Sequence, residues 1–167
     1  LTKTNQSYTF FSKKPVGLYF LVSVPFGRRV SKAIVIKTKK LNKLELRKGL
    51  PYSLRGVARV LSKKPVLHNL QVKLAYWISD YYIEPLGLVF KIMIRKVPLK
   101  KKITLKPDPG LRDNLFGFSR SLKEIVIKER ESDIYKSKSS PRFDARRVAF
   151  KVAKLTGAKL TESGLKY

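Results

Sequence analysis

The sequence has no cysteine and only one histidine, one tryptophan and one methionine among its 167 residues. Without cysteine the chain can form no disulfide, no thiolate metal site and no cysteine nucleophile. His68 alone cannot build a zinc site or a catalytic triad, so we expect neither a metal nor another cofactor. No apolar run reaches the roughly 18 residues that a membrane-spanning helix requires, so we expect no membrane contact. The absence of cysteine and of a membrane-spanning run is consistent with the cytoplasmic location that we expect.

Acidic residues are also scarce. The chain contains 11 Asp and Glu against 38 Lys and Arg, which gives a formal charge of +27. The first 79 residues contain a single acid, Glu45. This excess is far larger than solubility requires, and it predicts a polyanionic partner such as nucleic acid. Apolar residues still make up 43% of the sequence, which excludes a disordered basic tail.

The best-patterned segment is an amphipathic helix near the middle of the chain. Its apolar residues recur every three or four positions and are Leu67, Leu70, Leu74, Trp77, Ile78 and Tyr81. We expect the helix to end at about Tyr82 or Ile83, because the residue before Pro85 is pushed out of the α-helical region. Its aromatic side chains are candidates for a small core, since each such ring can bury roughly 150–250 Å². A second apolar run, 88–94, predicts a short second helix.

Before this helix the sequence favours β-structure. The candidate strands are SYTFF at 7–11, the segment 17–24, AIVIK at 33–37 and LRGVARVL at 54–61. The segment VPFGRR at 24–29 contains proline and glycine and predicts a basic hairpin turn. The predicted fold class is α+β, a small antiparallel and barrel-like β unit that is closed by one main helix.

The composition changes after Pro98. Residues 100–118 are basic, contain proline and glycine and show no periodicity, so we interpret them as a linker. Beyond it, LKEIVIK at 122–128 predicts a strand, and the apolar positions between 145 and 155 predict a helix. The predicted domains are therefore 1–99 and 119–167, and the second is too short to bury a core alone.

Two sets of motifs carry a family resemblance. VPFGRR at 24–29, LRGVARVL at 54–61 and LAYWISDYYIEPLG at 74–87 resemble, in this order, the N-terminal 3′ DNA-binding domain of primosomal protein N′ (PriA), the bacterial replication-restart helicase family. The run 122–160 is similar to that family's helicase region near its acidic ATPase motif. The resemblance implies binding to forked DNA that carries a 3′ end, with other primosome or single-strand-binding proteins as further partners.

The chain also departs from that family. It has no GxxxxGK[ST] phosphate loop, and KERES at 128–132 stands where the family has an Asp-Glu-Glu-His motif. The winged-helix domain expected between the two matching segments is replaced by a short connection. We therefore expect no ATP-driven enzyme activity, and a DNA-binding domain joined to a remnant of a helicase lobe. Because the chain begins at Leu1, we also expect a fragment of a longer protein.

The resemblance implies a pocket for the terminal nucleotide, formed by Tyr8, Thr9, Phe10, Gly27 and Arg55. An aromatic ring can stack on any base, a glycine lets the backbone approach the sugar, and an arginine can fork to a phosphate. Thr9 stands where the family usually has an aspartate, and its uncharged hydroxyl can still accept a bond from a 3′-hydroxyl. The residues expected to contact the DNA backbone are Arg28, Arg29, Lys37, Lys39 and Lys40.

Each of these residues also has an ordinary structural interpretation. The aromatic side chains suit a core, Gly27 suits a turn, and the lysines suit a solvated face. Two functions remain open from the sequence. One is recognition of DNA 3′ ends in replication restart and primosome assembly, by a cytoplasmic, nucleoid-associated protein. The other is non-specific RNA binding or association with ribosomes. The order of the family motifs favours the first.

Overall fold

The structure is a computed structural model, which describes residues 7–40, 54–94, 99–108 and 112–163. Contacts within the chain divide it into two compact units, Leu1–Leu67 and His68–Tyr167. The described residues form three α-helices and two three-stranded sheets, so the predicted α+β class is confirmed. No helix among these residues is long and apolar enough to cross a bilayer.

The first unit is built on an antiparallel sheet. Its strands are β1 (Leu21–Phe26), β2 (Arg29–Ile34) and β3 (Arg59–Val60), in the order β2-β1-β3. Val22 and Val24 are buried on one face of β1, as expected for alternating strand positions. In the described part of this unit β2 and β3 each pair only with β1, so the sheet does not close. The barrel-like form that we predicted is not found there.

Several strand limits in this unit differ from the prediction. β1 covers Leu21–Phe26 rather than 17–24, and the predicted strand 7–11 forms only an isolated bridge at Phe11. β2 begins at Arg29 rather than at Ala33, because the turn contains only two residues and pairing resumes directly after it. Of the predicted strand 54–61, only two residues pair with β1. Within that segment, Gly56 instead forms an isolated bridge with Phe11.

The second unit combines helices with a parallel sheet. Helix α1 (Asn69–Tyr81) and helix α2 (Leu86–Met93) come first, and α1 ends close to the predicted limit. The parallel strands are β4 (Lys102–Leu105), β5 (Glu124–Lys128) and β6 (Lys159–Ser163), in the order β4-β5-β6. Helix α3 (Ala145–Thr156) connects β5 to β6. The strand, loop and helix that we predicted after residue 119 are therefore present.

The segment that we interpreted as a linker contains regular structure. β4 lies within it, and Ile103 and Leu105 are buried while the residues beside them are exposed. A short 3-10 helix, Arg112–Phe116, follows. The alternation of apolar and polar residues covers only four positions, between lysine-rich and proline-containing segments, so the sequence pattern was too short to indicate a strand. The domain limits at 99 and 119 stay a prediction.

Helix α1 is fixed at its start by two side chains. The His68 ring accepts a hydrogen bond from the Gln71 backbone N–H at 3.3 Å, and the Gln71 side chain accepts one from the His68 N–H at 3.0 Å, which is a reciprocal capping box. Gln71 also donates to the Phe116 carbonyl at 2.8 Å, and His68 Nε2 lies 2.9 Å from the Phe118 carbonyl. The start of α1 is therefore bonded to the segment that precedes β5.

The core of the second unit is mainly aliphatic, and its fully buried aromatic side chains lie outside α1. Among its fully buried side chains are Leu74, Ile78, Val89, Phe116, Phe118, Ile125, Ile127, Tyr135 and Val148. The aromatic core that we predicted on α1 is wrong in part, because Tyr76 is 46% exposed and Tyr81 is 48% exposed. Their rings lie beside the apolar stripe of the helix rather than within it.

Candidate nucleic-acid interface

The turn between β1 and β2 is the centre of the predicted site. Phe26 pairs with Arg29, which leaves a loop of two residues, Gly27 and Arg28. Gly27 has a φ of 61° and Arg28 does not have a positive φ, which is the pattern of a type II′ turn with glycine in its first central position. A Cβ added to Gly27 would meet no atom within 4 Å. The glycine is therefore required by the backbone, and it faces open space.

Arg55, 28 residues further along the chain, contacts this turn. Its guanidinium donates a hydrogen bond to the Gly27 carbonyl at 3.1 Å, through Nη1. Its own carbonyl accepts from the Phe11 N–H at 3.1 Å, and the Phe11 carbonyl accepts from the Val57 N–H at 2.9 Å. These bonds hold the segments 8–11 and 54–57 side by side. The segment that contains Arg55 is thus bonded both to the turn and to the N-terminal residues.

Tyr8 completes the cluster from the N-terminal segment. Its ring lies edge-on to Phe26, with 5.0 Å between the ring centroids, and its side chain is 47% exposed. Thr9 is exposed and Phe10 is half-buried, and both lie between Tyr8 and the bonded residue Phe11. The structure therefore places Tyr8 and Arg55 against the β1-β2 turn. The other two predicted residues, Thr9 and Phe10, follow Tyr8 in a segment that is not part of a strand.

Sequence reasoning missed Phe11. This side chain is 42% exposed, and its ring lies over Gly56, where an added Cβ would stand 3.2 Å from a ring carbon. A side chain at this position would require the ring to shift by a few tenths of an ångström. The two neighbouring phenylalanines at 10 and 11 were the available signal, but their sequence alone does not say which one packs against Gly56. Phe11 is thus a further aromatic surface beside Arg55.

The predicted backbone-contact residues fall into two groups. Arg28 and Arg29 are exposed at the turn itself, next to the cluster. Lys37, Lys39 and Lys40 are exposed beyond the other end of β2. Since β2 has six residues, that end lies about 20 Å from the turn at roughly 3.3 Å per residue. The structure therefore does not bring the three lysines to the predicted pocket.

The charged side chains that the structure describes in the first unit are all positive. Every charged side chain within 7–40 and 54–67 belongs to lysine or arginine. At the turn these side chains are Arg28, Arg29 and Arg55. Further along β1, Ser23 pairs with Lys32 of β2 on one side and with Arg59 of β3 on the other. In water such positive charges attract phosphates over about a Debye length, near 8 Å at physiological salt.

The acidic residues of the segment 128–132 do not form a comparable site. Glu129 and Glu131 are both exposed. Among the described residues, no group of three or more His, Asp or Glu side chains could hold a metal ion. Asp144 lies beyond this segment: burial raises its pKa, but the hydrogen bonds from Arg146 outweigh that effect and leave the pKa below its usual range.

Comparison with known proteins adds one finding. A family model described as the 3′ DNA-binding domain (3′BD) of PriA matches residues 2–95. The match covers more than half of the 167 residues, and it includes every residue that was predicted to contact DNA. No curated protein matches the chain.

Proposed function

Because this chain belongs to the family of the PriA 3′ DNA-binding domain, we propose that it binds the 3′ end of a DNA strand at the turn between β1 and β2. The charge of +27 and the positive surroundings of the turn support a DNA ligand. The proposed setting is replication restart at forked DNA, with other primosome or single-strand-binding proteins as further partners. The proposal includes no ATP-driven movement, since the sequence has no GxxxxGK[ST] loop.

The observation that carries this proposal is the hydrogen bond from Arg55 to Gly27. It uses one of the five N–H donors of the guanidinium and leaves the others for a phosphate. It also fixes Arg55 beside a glycine whose missing side chain leaves room for a sugar. Three residues that are far apart in sequence, Tyr8, Gly27 and Arg55, therefore offer a ring, a backbone surface and a cation within one cluster.

We assign a role to each part of this cluster. The exposed face of Tyr8 stacks on the terminal base, an interaction worth about 1–3 kcal/mol per base that does not depend on sequence. The backbone at Gly27 lies against the sugar, and Arg55 binds the phosphate that precedes the terminal nucleotide. The hydroxyl of Thr9 accepts a hydrogen bond from the 3′-hydroxyl. Arg28 and Arg29 bind the backbone of the strand that leads to the end.

The test compares two arginine variants on forked DNA with an accessible 3′ end. Arg55→Ala should weaken binding by about 1–2 kcal/mol, because a charge-assisted bond to phosphate is lost. Arg59→Ala removes the same charge from β3 but leaves the turn intact. We expect it to weaken binding to forks with and without a 3′ end by the same small amount. Fluorescence anisotropy with labelled forks measures both affinities.

Two results would contradict the proposal. One is an equal loss in Arg55→Ala and Arg59→Ala for the fork with a 3′ end, which would leave only non-specific attraction. The other is displacement of the fork by structured RNA at an equal nucleotide concentration, which would favour the RNA-binding function that the sequence left open. Circular dichroism of both variants verifies that the fold is retained.

A further inference from the structure

The second unit carries a surface on which aromatic and cationic residues meet. Trp77 and Tyr81 are one turn apart on α1, and their rings stack with centroids 5.0 Å apart and planes inclined by 22°. Arg147 and Lys151 are one turn apart on α3. The ammonium of Lys151 lies 5.3 Å from the Trp77 ring centroid, and the guanidinium of Arg147 lies 5.9 Å from that of Tyr81. Two aromatic rings and two cations thus share one surface.

A shallow cavity of about 430 Å³, wide open to solvent, lies beside this surface. This volume is within the range of small-ligand sites, roughly 300–1,000 Å³. It is lined by Tyr81, Tyr82, Lys136, Ser137, Arg142, Phe143, Asp144 and Arg147. We call this cavity, together with Trp77 and Lys151, the aromatic-cation surface.

The charge of this surface is positive. Its one carboxylate, Asp144, is bonded to Arg146 at 2.8 Å, and its Lys136 is bonded to Asp133 at 2.8 Å. Among the residues that the structure describes, no carboxylate lies within ion-pair distance of Arg142 or Arg147. Their charges are therefore available to an anionic ligand.

The walls of the cavity are held in place by hydrogen bonds. The buried carboxylate of Glu84 accepts from the Arg142 backbone N–H at 2.8 Å and from the Ser140 hydroxyl at 2.6 Å. The Tyr82 hydroxyl accepts from the Asp144 N–H at 3.1 Å. These bonds tie the loop before α3 to the segment at the end of α1, so the backbone at Arg142 is held in place before any ligand arrives. A preformed site of this kind loses less entropy when it binds.

We infer that the aromatic-cation surface is a second nucleic-acid site, which binds a nucleotide within single-stranded DNA. The ligand chemistry is a planar base joined to a phosphate. The half-exposed ring of Tyr81 and its stacked neighbour Trp77 offer aromatic surface to the base, and Arg142 and Arg147 bind the flanking phosphates. An acidic peptide would satisfy the two arginines but would leave the aromatic pair unused. This site needs no 3′ end and does not depend on the proposed site at Gly27.

The chain itself supplies a local probe, because Trp77 is its only tryptophan. A closed circle of single-stranded oligothymidylate has no 3′ end and should quench Trp77 emission saturably in the full chain. Arg142→Gln should raise the Kd about three- to tenfold, since it removes one phosphate partner. Arg120→Gln is the matched control, because it removes an exposed arginine of the same unit that lies outside the surface. Its Kd should change less than about twofold.

A second pair of variants tests the stacking. Tyr81→Leu should weaken binding by about tenfold, and Tyr81→Phe, which keeps the ring but loses its bond to Arg147, should recover most of that loss. Circular dichroism of each variant verifies that the helices remain. Tyr81→Leu and Tyr81→Phe variants that bind the circle equally would overturn the stacking role.

Four other outcomes would overturn the inference. A saturating concentration of the circle could leave Trp77 emission unchanged. Alternatively, Arg142→Gln and Arg120→Gln could weaken binding of the circle equally. Thymidine monophosphate could bind as tightly as the circle, which would make a free nucleotide the ligand. Polyglutamate could displace the circle at equal charge, which would indicate an acidic protein partner. Because the circle has no 3′ end, its quenching of Trp77 tests this site alone, so failure of this site and failure of the 3′-end site are distinguishable.

Discussion

His68 caps helix α1 only when its ring is neutral. Nδ1 must accept the bond from the Gln71 N–H, so Nε2 carries the proton and donates to the Phe118 carbonyl. Burial lowers the pKa of His68, the bond to the Phe118 carbonyl partly opposes that effect, and the positive charge of Arg120 lowers the pKa further. A second proton on the ring would remove the acceptor that holds the start of the helix.

This arrangement predicts that stability decreases in mildly acidic solution. With the folded pKa of His68 below its ordinary 6.5, the unfolded chain binds more protons than the folded chain as pH falls through that region. The contribution of the neutral ring is therefore complete above about pH 6.5 and is lost progressively below it. We expect urea unfolding, followed by Trp77 emission, to show a lower free energy at pH 5.5 than at pH 7.5.

The matched variant for this test is His68→Asn, which keeps an N-cap acceptor but does not titrate. It should show little difference between the two pH values. Asp144, with its pKa lowered by Arg146 despite burial, stays ionised throughout this range and adds no slope. Equal slopes in the variant and the parent chain would assign the pH dependence to another group.

The sequence predicted the structural position of Gly27 correctly and that of Tyr81 wrongly. Gly27 was predicted as a turn residue, and its positive φ confirms this because few other residues adopt that conformation. Its role in DNA binding stays a prediction. Tyr81 was wrongly placed in the core, because helical periodicity cannot show that Arg147, 66 positions later, lies against the ring. A partner that is distant in sequence leaves no local signal.

At the scale of elements, α1 depends on residues beyond the predicted domain. Its first turn is bonded to Phe116 and Phe118, and helices α1 and α3 are in contact. Helix periodicity located α1 and α3 because each carries an apolar stripe over three turns, and the observed end of α1 at Tyr81 is close to the predicted end. β4 was missed because four residues carry too little pattern. The bonds that hold α1 to the segment before β5 had no sequence signal.

This dependence predicts that a chain ending at residue 99 is less stable than the full chain. It would lose the bonds from His68 and Gln71, about 1 kcal/mol each, and would expose apolar surface of α1 that the later elements cover. We expect its Trp77 emission to change at a lower urea concentration and its tendency to aggregate to rise. A chain ending at residue 163 is the control and should match the parent. Equal stability of the short chain would show that residues 1–99 fold independently.

At the scale of the whole molecule, non-specific charge attraction and recognition of a 3′ end predict opposite effects of a terminal phosphate on DNA affinity. A surface of +27 attracts every nucleic acid, and this attraction falls steeply with salt. Such attraction is indifferent to the chemistry of a 3′ end, except that more negative charge strengthens it. The cluster of Tyr8, Thr9, Gly27 and Arg55 would instead prefer a free hydroxyl, because a terminal phosphate adds bulk and removes the donor that faces Thr9.

The most direct measurement is therefore the ratio of affinities for two forks that differ only in a 3′-hydroxyl or a 3′-phosphate. We predict that the hydroxyl fork binds more tightly by about 1 kcal/mol or more, the value of one lost hydrogen bond. We also expect this preference to persist as salt is raised from about 50 to 200 mM while both affinities fall. Equal binding of the two forks, or tighter binding of the phosphate fork, would contradict recognition of the 3′ end.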